Sequence, residues 1–202
     1  MLTYKISKRP ILTLLLMSMA NALIFLVITL LNIGELETHL SSISDDSKAL
    51  AIGKWIGVGI GVFSKIVGPI FNLIIFSIII WLLLLIITME ASFKTIFYTG
   101  IKAYLFLLIG SLVKGITNML MQQTSVNYFS LEFLNVIFNN EVVLAILKSI
   151  DLFLVLFLVV WAYYLYKNSN IKYKKSITLA YTGLFIVLVC FNGVASYIGT
   201  NL

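Results

Sequence analysis

Lys114 is the side chain in this sequence most able to do chemistry. It is the only charge between Lys102 and Glu132, and a charge at the centre of a bilayer costs about 2.5–3.5 kcal/mol on insertion scales. Asp151 is its natural counterpart. Lys114 stands twelve residues beyond Lys102 and Asp151 sixteen before Lys167, which on a helical rise is roughly 18 Å and 24 Å from one boundary. An acid and a base at similar depth can form a structural ion pair between two helices, or a proton or substrate relay. Lys148, three residues before Asp151, competes for the same carboxylate if both lie on one helix. Little else offers reactivity. The one histidine, His39, sits in a polar segment, and the one cysteine, Cys190, sits in an apolar one as a small packing residue. No Ser/His/Asp or Cys/His set, His-Glu-x-x-His or P-loop is present. Gly57, Gly59 and Gly61 lack the strand–turn–helix setting of a nucleotide fingerprint. The sequence therefore predicts no catalytic residues, no metal ligands, no cofactor and no enzyme.

The elements that must position these residues are membrane helices. Of 202 residues, 61% are hydrophobic and 11% charged, with a mean hydropathy of +1.08, whereas soluble domains carry about 45–50% apolar and about 25% charged residues. A crossing helix needs roughly 20 mostly apolar residues. Five segments qualify, at about 11–33, 66–89, 103–121, 150–166 and 177–199, the fourth only with Asp151 inside it or at its rim. The first follows Lys5, Lys8 and Arg9 and could be read as a signal peptide. Its 23 uncharged residues exceed the usual 7–15-residue core, and no small-x-small site follows, so a retained helix with Pro10 in its first turn is expected.

Charge then orients the chain. With the N-terminus inside, Lys5, Lys8, Arg9, Lys94, Lys102, Lys167, Lys172, Lys174 and Lys175 are cytoplasmic, while Lys48, Lys54, Lys65 and Lys148 lie outside. That bias obeys the positive-inside rule. The net charge of +6 is thus topological, and no nucleic-acid partner is expected. The predicted fold class is an all-α integral membrane protein of the cell membrane, a single membrane domain of five spans, with the N-terminus cytoplasmic and the C-terminus outside.

Two outer segments are not plain spans. In 47–65, Gly53, Gly57 and Gly61 recur every four residues and share one helix face, where a partner's backbone could approach closely. Lys54, Trp55 and Lys65 would anchor this segment in the outer leaflet; a flexible glycine-rich connector is the alternative. Gly68-Pro69 predicts a kink into the second span. In 128–147, apolar and polar residues mix at helical spacing, which suggests an amphipathic outer helix. Asn21, Asn72, Asn118 and Asn192 read as interhelical glue, and the Lys167–Ser176 loop as a headgroup anchor.

Met89–Gly110, with its Ser-Phe-Lys turn, and Ser149–Phe157, with Asp-x-Phe opening a helix before a lysine-rich turn and Lys175-Ser-Ile, resemble the bacterial branch of the Yip (Ypt/Rab-interacting protein) domain family. The resemblance covers roughly 65–190 and carries over at Phe93, Lys94, Tyr104, Asp151 and Phe153. Trp161-Ala-Tyr-Tyr stands where a small residue is common in that family. The resemblance implies a non-enzymatic five-span scaffold that binds other membrane proteins. Eukaryotic members bind small GTPases through a longer N-terminal region, which the ten residues before the first span do not supply. Bacterial members look like accessory subunits of ABC exporters, some linked to resistance against membrane-active peptide toxins. The expected function is such a scaffold, with partners on the glycine face and on 128–147. Alternatives are a small channel or transporter using Lys114 and Asp151, and a lipid-shaping protein loaded by its two outer segments.

Overall fold

A computed structural model describes residues 9–31, 33–34, 47–87, 91–121, 128–131, 140–168 and 174–201. Seven helices are named among the described residues: α1 (Pro10–Leu31), α2 (Ser47–Ile86), α3 (Phe93–Ala103), α4 (Leu105–Leu120), α5 (Glu141–Ser149), α6 (Leu152–Asn168) and α7 (Lys174–Asn201). The one extended pairing is an isolated bridge between Ser130 and Asp151. Four stretches are long and apolar enough to cross a membrane: Pro10–Leu31, Ala51–Ile86, Phe93–Leu120 and Lys174–Ala195. The apolar α6 is shorter, at 17 residues. The all-helical chain thus has the character of a multi-pass membrane protein.

Two expected boundaries are corrected. The glycine-rich segment 47–65 and the span 66–89 are not separate elements but one 40-residue helix that runs through Pro69. A proline interrupts one hydrogen bond and crowds the carbonyl four residues earlier, here that of Lys65. Ending the helix there would instead strand up to four carbonyls and four N–H groups in apolar surroundings. The third stretch starts at Phe93 and not near 103. Ser92 caps α3, its Oγ accepting from Thr95 N at 3.2 Å. At the joint to α4, Tyr104 keeps helical angles, donates its N–H to Gly100 O at 2.9 Å and accepts from Leu108 N at 3.1 Å. Lys94 and Lys102, expected in a loop, are exposed helical residues whose long stems let the ammonium leave an apolar surface.

The chain forms two compact units: residues 1–71 with 111–124, and residues 72–110 with 125–202. In the first, α1 buries Leu14, Ser18, Asn21 and Ala22, a set spaced four, three and one residues apart on one face. In the second, α3 packs on α6, and α7 on both α6 and α5. Its core joins Leu73, Ser77, Ile80 and Leu84 of α2 to Ile96 of α3, Phe157, Trp161 and Leu165 of α6, and Leu184 of α7. The α2 set recurs at four, three and four residues, one stripe of a helix.

Candidate functional site

Trp161 organises the second unit. It is 0% exposed, and its Nε1–H donates to Ile96 O at 3.0 Å and Thr99 Oγ1 at 3.2 Å. The Thr99 hydroxyl turns back to the carbonyls of Thr95 and Ile96, both at 2.8 Å. The indole lies on Gly100, where an added Cβ would come within 2.7 Å of the ring and 2.8 Å of Leu73 Cδ1. Phe157 and Tyr181 flank it, with centroids at 5.1 Å and 5.6 Å. Gly100 therefore makes room for an aromatic ring and Trp161 fills it. Sequence reasoning saw Trp161 only as a departure from a pattern. The available signal was a large aromatic seven residues before the end of an apolar helix, with a glycine in the earlier helix α3.

Contacts Gly100–Trp161, Tyr104–Phe157 and Gly110–Phe153 advance on one strand of the chain as they retreat on the other. The run 100–110 is therefore antiparallel to α6. Tyr104 is buried at this seam, its ring edge-on to Phe157 at 6.4 Å. Phe153 closes the seam against Gly110 and packs edge-on against Phe129 at 5.3 Å. Phe93 is exposed and stacks on Phe97 at 6.0 Å, and the Lys94 ammonium sits over the Tyr98 ring at 5.7 Å.

Asp151 lies at the head of α6 and not within it. Its Oδ1 accepts from Phe153 N at 2.8 Å and Leu154 N at 3.3 Å, the geometry of an N-cap, and negative charge also suits the positive end of the helix dipole. The backbone around it is clamped: Leu152 N donates to Phe129 O at 3.0 Å and Leu131 N to Ile150 O at 3.1 Å. Asp151 is 8% exposed. Lys148 belongs to α5, which ends at Ser149 with Ile150 extended, so the expected three-residue helical relation between Lys148 and Asp151 does not exist. Asp151→Ala should lower stability by about 1–2 kcal/mol, and Asp151→Asn, which keeps the acceptor, by much less. Thermal unfolding in detergent measures both, and equal losses would show that the charge, and not the cap, carries the effect.

Lys114 is half-buried on α4 in the first unit, whereas Asp151 belongs to the second. Of the predicted glycine face, Gly61 is packed, its Cβ position lying 2.5 Å from the Phe25 ring, while among the described residues nothing comes within 4 Å at Gly53 or Gly57. Lys65 covers the other end of that contact, its ammonium 5.7 Å from the Phe25 centroid. Two other glycines are packed, and one of them by backbone. Ile28 presses on Gly115, and Gly193 of α7 would place a Cβ 3.4 Å from the Ile146 backbone of α5. Ser149 Oγ seals the latter contact, lying 2.7 Å from Ile146 O and 3.2 Å from Val189 O.

Asn21 is buried and Asn118 half-buried, whereas Asn72 and Asn192 are exposed among the described residues. Cys190 is exposed and not a packing residue, because it falls on the outward side of α7 beside Phe191. His39, residues 169–173 of the Lys167–Ser176 loop and residues 132–139 of the predicted outer helix lie outside the described residues. Among the described residues, no group of three or more His, Cys, Asp or Glu could hold a metal ion. Comparison with protein-family models, with curated proteins and with solved structures gives no match.

Proposed function

We propose that this chain is a non-enzymatic, five-span scaffold of the cell membrane, with its N-terminus cytoplasmic and its C-terminus outside. In this reading α6 is the fifth crossing, and a helix of a partner packs on the open glycine face of α2. The partner is a subunit of an ABC exporter or a membrane-active peptide toxin, as the resemblance to the bacterial Yip branch implies. The observation that carries the reading is the emptiness around Gly53 and Gly57. Ile52, Trp55, Ile56, Ile60 and Phe63 beside them are exposed, and only Val58 of this stretch is buried. Each glycine inside a helix costs about 0.5–1 kcal/mol relative to alanine. A glycine that no described residue of the chain exploits is well explained by a neighbour outside it, since small residues let helix backbones meet in lipid. The excess of lysine and arginine on the loops assigned inside supports the orientation.

The test is Gly57→Leu in the full-length protein. No described atom comes within 4 Å of a Cβ at Gly57, so expression and thermal stability should hold or rise slightly. Tagged protein purified from its native membrane in mild detergent should carry exporter subunits or the toxin as wild type, and lose them as the variant. Identical co-purified proteins in both would refute the glycine-face reading.

A further inference from the structure

One end of the second unit carries a positive, tyrosine-lined belt. The antiparallel packing of α3 on α6 and of α7 on α6 (Trp161 with Tyr181, Tyr166 with Lys174) brings the start of α3, the end of α6 and the start of α7 to the same end. Three ammonium groups there rest on tyrosine rings: Lys94 over Tyr98 at 5.7 Å, Lys102 over Tyr164 at 6.0 Å and Lys174 over Tyr166 at 5.0 Å. The last two contacts cross between helices. Lys102 lies near the far end of α3, yet its ammonium meets Tyr164, past the register set by Gly100 and Trp161, so its stem reaches back toward the end where α3 begins. Lys167 and Lys175 are exposed beside them. No Asp or Glu occurs anywhere in α3, α6 or α7.

We propose that this belt binds the headgroups of anionic phospholipids and thereby fixes the end of α6 at the membrane surface. Two features select a lipid over a soluble polyanion. The charged ring borders apolar surface directly: exposed Val159 lies one turn from exposed Tyr163, and exposed Leu179 one turn from Lys175. One face thus offers ammonium groups to a phosphate and, a turn away, aliphatic surface to its acyl chains. Tyrosine is also the side chain that settles at the headgroup level. Cation–π contacts hold each ammonium in place without neutralising it, so the charge stays available. The surface is independent of the scaffold role proposed above and requires only that the helices lie in a bilayer.

The experiment reconstitutes the full chain in phosphatidylcholine vesicles with trace spin-labelled phosphatidylglycerol or phosphatidylcholine, and reads the motionally restricted fraction of each. The wild type should prefer phosphatidylglycerol. The double variant Lys102→Gln, Lys174→Gln should lose that preference by up to about five-fold per lysine. Equal association of the two lipids with wild type, or a preference the double variant retains, overturns the proposal. Should the double variant not reconstitute, high salt applied to the wild type decides: the preference should collapse, and its persistence would count against the belt.

Discussion

Trp161→Ala should be the most damaging single substitution in the second unit. Truncating a buried Trp in a soluble core costs about 3–5 kcal/mol. In a membrane the transfer part shrinks, because lipid tails are as apolar as the site. The cavity part remains, since the indole fills the space between Gly100, Leu73, Phe157 and Tyr181. A loss near the lower end, about 3 kcal/mol, is expected. Trp161→Phe should cost clearly less. It gives up the Nε1–H, but the Thr99 hydroxyl keeps its bonds to Thr95 O and Ile96 O, so no buried donor is orphaned. Unfolding in mixed micelles, followed by circular dichroism, measures both. Wild-type stability in Trp161→Ala would mean that α3, α6 and α7 are held by something other than this aromatic core.

The second large effect is expected at Gly110. A Cβ there would lie 2.5 Å from Phe153 Cγ and 2.7 Å from Phe153 Cβ. The Cβ is the decisive neighbour, since it is fixed to the backbone and cannot rotate away. Gly110→Ala should therefore force the seam apart and cost about 1–3 kcal/mol, despite the better helix propensity of alanine. Phe153→Gly, which removes that Cβ and is harmful alone because it also breaks the contact with Phe129, should become much less harmful in the Gly110→Ala background. A double-mutant cycle reads that coupling directly. Strict additivity of the two losses would deny that the pair forms the seam.

The sequence was most informative where hydropathy alone decides. The apolar runs at 11–33 and 177–199 correspond to α1 and α7, and the run at 150–166 to α6. It was least informative where the question is which apolar face meets protein. In a soluble helix polar residues mark the outside, but here Leu156 is exposed and Leu158 buried with the same side chain on each. Hydropathy cannot separate lipid from core, so Trp161 passed as one more aromatic. The capping role of Asp151 was hidden for a related reason. An acid beside an apolar run suggests an intramembrane charge, whereas the break at Ile150 that makes it a cap depends on pairing with Phe129 and Leu131, twenty residues away. Gly53, Gly57 and Gly61 share a period but not an environment, because only Gly61 has Phe25 opposite it. Periodicity fixes a face and says nothing about what stands across from it.

The 40 residues of α2 measure about 60 Å at the helical rise, roughly twice the hydrocarbon thickness of a bilayer. A helix of that contour length outruns a single crossing, so in a bilayer part of it must tilt or leave the hydrocarbon, and lipid thickness sets how much. Mismatch costs only fractions of a kcal/mol per Å, so a thicker membrane submerges the glycine-bearing half that a thinner one leaves dry. Lipid composition thereby becomes a control on whether Gly53 and Gly57 are met by acyl chains or by water.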